Sequence, residues 1–187
     1  DVTAEFFDAG HILGSAGTLI RSGGRTFFYA GDVQFDDQNV SPGAVFPSFD
    51  DEPCDVMLME STYGSRANPD NLTRASETER LATAIEAVFA RGGCVLIPLF
   101  ALGKTQEFLA LFHSLRKRGR LRREFPLYIG GLGAKLTEVY DKLARKTPRR
   151  IAPERPFATL HNRRRTVNTS GRCHRTPPVS RTRGSTS

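Results

Sequence analysis

Three side chains that could do chemistry stand near the ends of apolar runs: His11, Asp32 and Glu60. Each stands where a β-strand would give way to a loop, and enzymes usually keep their reacting groups on loops that a rigid scaffold positions. A histidine and a carboxylate at neighbouring strand ends suit a borderline metal ion such as zinc, and a carboxylate can bridge two ions. The same residue types also serve commonly as hydrogen-bonding turn and cap residues. The residues alone leave a metal site and a structural role open.

The N-terminal third of the chain predicts the strands and loops that would position these side chains. A β-branched and aromatic run leads into the glycine-rich sequence GHILGSAG around His11. Two further apolar runs, separated by a glycine pair, predict a β-hairpin with Asp32 at its exit. Residues 36–53 are rich in proline and acids and predict a loop. The unbroken apolar run VMLM then predicts a buried strand that ends at Glu60.

The middle of the chain changes to alternating helices and strands. Ser76 and Glu79 predict a helix start through a capping box, and apolar residues follow at helical spacing as far as a second glycine pair. The run CVLIPLF predicts a strand, residues 103–118 a second helix, PLYIG a strand and residues 133–145 a third helix. Repeats of this kind predict an α/β layer.

The tripeptide Gly103-Lys104-Thr105, between a predicted strand and a predicted helix, is similar to the end of a phosphate-binding P-loop. That motif requires a glycine five residues before the Gly-Lys pair, where this chain has Pro98, which has no N–H to donate. The sequence therefore argues against a P-loop nucleotide hydrolase. It leaves the start of this helix as a weak candidate for binding an anion.

Composition and charge separate the C-terminal segment from the rest. Of the 187 residues, 39% are apolar, enough for a packed core, and no run approaches the roughly 20 apolar residues that span a bilayer. Residues 145–187 hold 12 of the 27 Lys and Arg and one of the 20 acids. Because this segment is also rich in Ser, Thr and Pro, we predict a disordered tail, which could bind phosphate non-specifically. The three cysteines form no CxxC pair and suit a cytoplasmic protein, and we expect no membrane partner.

Four ordered motifs, DAGHILGSAG, YAGD, MESTYG and IPLFALGKTQEFL, resemble those of the metallo-β-lactamase fold nucleases of the β-CASP family. The likeness extends from about residue 4 to about residue 145. It implies that residues 1–72 form the C-proximal part of a metallo-β-lactamase αββα sandwich. Residues 73–147 would begin a β-CASP α/β domain, and residues 148–187 would be the basic tail.

The resemblance also implies roles for individual residues. His11 would be a ligand of one zinc ion, and Asp32 would bridge two. Glu60 would make a hydrogen-bonded contact with a histidine further along the chain that acts as a general acid. Three residues would line the cleft near the scissile phosphate and bind substrate: Ser61, Thr62 and Tyr63. The implied reaction is cleavage of RNA, or of single-stranded DNA, by a zinc-activated water, with Asp32 and Glu60 as the catalytic residues.

The family's main metal motif, HxHxDH, does not occur in this sequence, and no role is assigned to its other histidines, His113, His161 and His174. Since zinc takes about four donors, we expect an internal fragment that is inactive by itself. The intact protein would work as a homo-oligomer or with a paralogue. The alternatives are another metallo-β-lactamase fold hydrolase and a non-catalytic RNA-binding or scaffolding relative. Because half of the sandwich would be missing, we also predict an exposed sheet face and marginal stability or aggregation.

Overall fold

The computed structural model describes residues 1–50, 53–67, 69, 72–122 and 125–146, and the main chain of 167 and 168. Its elements are β1 (Val2–Asp8), β2 (Ala16–Ser22), β3 (Arg25–Tyr29), β4 (Val56–Leu58), α1 (Arg74–Ala90), α2 (Lys104–Lys117), β5 (Leu127–Tyr128), α3 (Gly131–Lys146) and β6 (Val167–Asn168). This small sheet with three helices is a mixed α/β architecture, compatible with the predicted fold class. The αββα sandwich and the domain boundaries stay predictions. Apart from β6, the predicted disordered tail lies outside the described residues.

The N-terminal sheet has the strand order β1-β2-β3-β4. β1, β2 and β3 pair antiparallel, and β4 pairs parallel to β3. The predicted hairpin is confirmed: Gly23 and Gly24 connect β2 to β3 with φ angles of 57° and 73°. A two-residue turn with positive φ at both positions matches the twist of the flanking strands and favours glycine. Asp32 follows the second strand of this hairpin by three residues, as predicted.

One face of this sheet is buried under the loop that follows it. Leu19 and Phe28 form a buried cluster with Phe7 of β1 and with Phe46 and Phe49 of the loop. The rings of Phe28 and Phe46 meet edge to face with centroids 4.8 Å apart, a favourable aromatic geometry. The long predicted loop therefore closes the small core of the sheet, and the described residues 36–50 contain no helix or strand.

The opposite face of the sheet is exposed. The pairing register aligns Phe6, Thr18, Tyr29 and Leu58 across the four strands. Phe6 is 71% exposed and Leu58 is 53% exposed. The predicted strand VMLM is therefore present as β4, but the prediction that it is buried was wrong. Within the described residues, β4 pairs with β3 alone and forms the edge of the sheet.

The three predicted helices are confirmed, with shifted ends. α1 begins three residues earlier than expected, because Thr73 and not Ser76 is the N-cap. The Thr73 hydroxyl accepts from the Ser76 N–H, and the Ser76 side chain accepts from the Thr73 N–H. Ser76 thus occupies the partner position of the capping box that was predicted for Glu79. α2 lies within one residue of the predicted range 103–118 at each end, and its caps are Gly103 and Arg118.

The prediction of a strand at CVLIPLF was wrong: residues 94–100 are described and form no strand. Leu96 is 93% exposed. A strand requires a neighbouring chain to complete its hydrogen bonds, and Pro98 has no N–H to contribute. The predicted strand PLYIG is reduced to Leu127–Tyr128, which pairs in parallel with Val167–Asn168.

Two further buried clusters hold the helices. The first joins α1 to α2 and consists of Ala82, Ile85, Phe112, Leu115 and Leu121. The second, here called the junction cluster, joins the N-terminal loops to α2 and α3 and consists of Val40, Leu109, Ala110 and Tyr140, with Leu13 packed against it. The sheet and the helices therefore meet at the loop that contains His11.

The basic cluster after α2 is paired with acids of α1. Arg120 forms an ion pair with Glu79, and Arg122 with Glu86. These cations thus link α1 to the segment after α2. None of the helices in the described part of the chain is both long and apolar enough to cross a membrane.

Candidate functional site

The structure brings the loops of His11, Asp32 and Glu60 together. Gly10 and Val33 form an antiparallel bridge, so His11 and Asp32 each lie next to a bridged residue. Oε1 of Glu60 accepts a hydrogen bond of 2.6 Å from the Val33 N–H. The three residues predicted from the ends of apolar runs therefore lie on loops that meet at one end of the sheet.

Gly10 makes this convergence sterically feasible. Its φ angle is +67°, and a Cβ atom at this position would collide with the main chain of Gln34 and Ala44. Any other residue would therefore push the two loops apart. The Ala9 carbonyl also accepts from the Gln34 N–H at 2.9 Å, which extends the contact beside the bridge.

Glu60 is held by hydrogen bonds on both oxygens. Oε2 accepts from the Thr62 hydroxyl at 2.6 Å, and Oε1 accepts from the Val33 N–H. The Thr62 hydrogen bond, then the Val33 N–H and the nearby His11 imidazole together lower the pKa of Glu60, because each favours the ionised carboxylate. Glu60 thus fixes the main chain next to Asp32. The contact to a later histidine stays a prediction.

The segment from Ala9 to Ser15, here called the His11 loop, is closed by its own hydrogen bonds. The Ser15 hydroxyl accepts from the N–H groups of His11 and Ile12, both at 3.2 Å. The same hydroxyl donates to the Ile12 carbonyl at 2.9 Å. These bonds form a compact turn that presents the His11 side chain at its start, where it is half-buried.

The helical half of the molecule contacts this loop directly. The Leu13 N–H donates to the Tyr140 hydroxyl of α3 at 3.3 Å. Gly103, at the start of α2, lies against Ile12 so closely that a Cβ atom would collide with it. The N–H groups of Lys104 and Thr105 donate to the carbonyls of Leu102 and Phe100. The start of α2 therefore contacts the His11 loop, and the weak expectation of an anion site there is not supported.

Two polar residues whose contacts the sequence analysis did not predict, Lys104 and Glu107, connect α2 to the same region. Lys104 donates to the side chain of Gln38, which in turn donates to the His11 loop. Glu107 accepts from the N–H groups of Asn39 and Val40 and forms an ion pair with Arg74. A sequence signal existed, because Lys104 and Glu107 continue the helical spacing of the apolar face at 108, 111, 112 and 115.

The predicted substrate-binding residues are exposed next to Glu60. Ser61, Thr62 and Tyr63 all lie at the surface, and the Arg66 guanidinium lies 5.7 Å from the centre of the Tyr63 ring. A cation over an aromatic face is a favourable contact. The exposure of these residues leaves them accessible to a ligand, and their role in substrate binding stays a prediction.

The donors present do not complete a zinc site. In the residues that the structure describes, no group of three or more His, Cys, Asp or Glu side chains could hold a metal ion. His11 and Asp32 have the right chemistry for two donors, and zinc takes about four. His113, half-buried on α2, is not part of such a group.

No family model matches the chain. An RNase J-like protein from Methanocaldococcus jannaschii is 34% identical over 142 residues, 75% of this chain and 32% of the relative. Endoribonuclease ysh1 from Aspergillus fumigatus is 34% identical over 137 residues, 72% of this chain and 15% of the relative.

Cleavage and polyadenylation specificity factor 73 from Drosophila melanogaster is 30% identical over 158 residues, 82% of this chain and 22% of the relative. The chain thus spans at most about a third of the length of these curated relatives. The matches agree with the four motifs identified in the sequence. The chain belongs to the metallo-β-lactamase and β-CASP family of RNA-processing nucleases.

Proposed function

We propose that this chain is part of a zinc-dependent hydrolase that cleaves phosphodiester bonds of RNA. The observation that carries the proposal is the convergence of His11, Asp32 and Glu60 through the Gly10–Val33 bridge and the Glu60–Val33 hydrogen bond. The names of the relatives, RNase J-like protein and endoribonuclease, support RNA as the substrate class.

In this proposal the chain is an internal fragment that contributes two zinc donors, His11 and Asp32. The remaining donors would come from other parts of a longer protein, and bound zinc would supply an activated water. The residues of this chain hold the donors in place: Glu60 fixes the main chain beside Asp32, and Ser15 closes the loop that carries His11. The exposed segment 61–63 would contact the RNA backbone.

The first test is zinc titration of the ¹⁵N-labelled 187-residue chain, followed by NMR. We expect weak binding, with shifts confined to the amides around His11 and Asp32, and no shifts in the His11→Ala or Asp32→Ala variants. His113→Ala is the matched control and should respond like the unmodified chain. Zinc shifts that persist in both the His11→Ala and the Asp32→Ala variants would contradict the assignment of these donors.

The second test uses the longer protein of which this chain would be a part, identified from the genomic sequence on each side. Its cleavage of a labelled single-stranded RNA should fall at least about 100-fold in the Asp32→Ala variant, with a matching loss of bound zinc. A DNA strand of the same sequence distinguishes the two candidate substrates. Full activity without zinc would overturn the proposal, and zinc-free RNA binding without cleavage would favour a non-catalytic relative.

A further inference from the structure

We propose that Gln38 is a positioning residue for the His11 loop, and that α2 fixes it there through Lys104 and Glu107. The inference concerns the conformation of the His11 loop. It rests on the proposed function only in taking His11 to be a zinc donor. Gln38 belongs to none of the four family motifs, and it lies in the segment between Asp32 and Glu60.

The orientation of the Gln38 amide is dictated by its neighbours. Its Nε2 donates to the carbonyls of Gly10 at 2.7 Å and His11 at 3.1 Å, and it also lies 3.3 Å from the Ser41 hydroxyl. Its Oε1 accepts from the Lys104 ammonium at 3.3 Å. A carbonyl can only accept and an ammonium can only donate, so the flipped amide would lose every one of the contacts to Gly10, His11 and Lys104.

These contacts determine the conformation of His11. The carbonyls of Gly10 and His11 belong to the two peptide groups on either side of the His11 Cα atom. Because a peptide group is planar, fixing both planes fixes the φ and ψ angles of His11. The direction in which the imidazole leaves the main chain is then set by Gln38, a residue 27 positions away in the sequence.

The main chain around Gln38 is in turn fastened to α2. The Gln38 N–H donates to the Ser41 carbonyl at 2.8 Å. Glu107 accepts from the main-chain N–H groups of the next two residues, at 2.7 Å from Asn39 and 3.1 Å from Val40. The Glu107 side chain is only 7% exposed, so water competes little for these bonds. Lys104 and Glu107 lie one turn apart on α2. The helix therefore binds the side-chain amide of Gln38 through Lys104 and the main chain that follows Gln38 through Glu107.

The test is amide hydrogen exchange, followed by NMR, on the 187-residue chain without metal. Gln38→Ala should speed exchange of the His11 and Ile12 amides by about fivefold or more, the change expected for losing one such hydrogen bond. Gln34→Ala is the matched control, because the hydrogen bonds that the structure gives for Gln34 are made by its main chain. Its effect on the same amides should stay within about twofold. Equal exchange in the two variants would overturn the proposal.

A second pair of variants separates positioning from general loss of stability. Lys104→Met keeps the aliphatic stem and removes the donor to Gln38, whereas Lys104→Arg keeps a donor. We expect Lys104→Met to speed exchange of the His11 amide and to shift the ring signals of His11 at constant pH, and Lys104→Arg to restore both. Identical spectra for these two variants would overturn the role of Lys104 even where Gln38→Ala fails to fold.

Titration with zinc alone distinguishes the two proposals. If Gln38→Ala loosens the His11 loop while the unmodified chain shows no zinc shifts at His11 and Asp32, the positioning role stands and the proposed function fails. If zinc shifts those residues while Gln38→Ala leaves loop exchange unchanged, the proposed function stands and the positioning role is overturned.

Discussion

Both oxygens of the buried Glu107 carboxylate accept hydrogen bonds from Asn39 and Val40, in the segment that follows Asp32. Oε1 accepts from the main-chain and side-chain nitrogens of Asn39, at 2.7 and 2.6 Å, and pairs with Arg74. Oε2 accepts from the Val40 N–H, which is buried. Hydrogen bonds to a charged group are stronger than neutral ones, and each unsatisfied buried donor is costly. This carboxylate therefore stabilises the junction between the sheet and the helices.

We expect Glu107→Ala to lower the free energy of unfolding by about 3 kcal/mol, because it leaves the Val40 N–H and the two Asn39 donors without their acceptor. Glu107→Gln, which keeps the shape and loses the charge, should cost about half as much. Urea unfolding followed by circular dichroism measures both. The control is Glu77→Ala, which removes an exposed ion pair with Arg80 and should cost less than about 0.5 kcal/mol. An effect of Glu107→Ala no larger than that of the control would contradict the stabilising role.

At the residue scale, the sequence predicted the three converging side chains and missed the residues that bring them together. His11, Asp32 and Glu60 were recognisable because each stands in a motif at the end of an apolar run. Gln38 was not, because its partners lie 27 and 66 positions away and a glutamine in a loop carries no local signal. The histidine partner expected for Glu60 stays a prediction.

At the element scale, one carboxylate reinforces the attachment of β4 to β3. Oδ2 of Asp55 accepts from the Thr26 N–H at 2.6 Å, and the Asp55 N–H donates to the Thr26 carbonyl at 3.1 Å. The Thr26 N–H holds the pKa of Asp55 below its ordinary value of 3.8. A carboxyl with a lower pKa in the folded state stabilises that state above the ordinary pKa, and this contribution is lost as the pH falls through the folded value.

The pairing of β4 with β3 should therefore weaken in acid. We expect the Thr26 amide resonance to move with a midpoint below pH 3.8 and to lose this titration in Asp55→Asn, because the neutral amide no longer changes charge. NMR of the labelled chain between pH 6 and the acid limit of folding measures the shift. Asp50→Asn, in the loop that covers the sheet, is the control and should leave the Thr26 titration unchanged. If the Thr26 amide resonance still shifts with pH in Asp55→Asn, a group other than Asp55 causes the shift and the prediction is contradicted.

Local periodicity explains which elements could be predicted. α2 was placed within one residue at each end because a helix completes its hydrogen bonds within its own segment. The run CVLIPLF has the composition of a strand, but a strand depends on a neighbour that the run itself cannot specify. The same dependence on neighbours applies to β4. Its sequence predicted a strand, but the exposure of that strand depends on what packs against it and could not be predicted.

At the scale of the whole molecule, the sheet has one covered and one open face. The open face carries Phe6, Tyr29, Val56 and Leu58, all of them exposed. Contiguous exposed apolar surface is a liability for a protein by itself and a typical site of further packing. The prediction of an exposed sheet face, which followed from the family resemblance, is confirmed for the described residues.

The 187-residue chain should therefore self-associate. Light scattering should show oligomers that grow with concentration, and the double variant Phe6→Thr with Leu58→Thr should increase the monomer fraction without lowering the midpoint of thermal unfolding, because both side chains are exposed. Val45→Thr, at an exposed apolar residue outside the sheet, is the control and should change neither. A monomeric chain with a sharp, cooperative thermal transition would contradict this prediction and the expected marginal stability.

The hydrogen bond between Leu13 and Tyr140 joins residues 127 positions apart. A ribosome makes the N-terminal end of a protein first, so β1, β2 and β3 can pair as soon as they emerge, because their contacts are local. The His11 loop has to wait for α2 and α3 before its last contacts can form. Nascent chains that end before Tyr140 would thus contain the strands in register and a His11 loop that lacks its hydrogen bond to α3. The order of synthesis therefore leaves the His11 loop without its contacts to α2 and α3 until most of this chain has been translated.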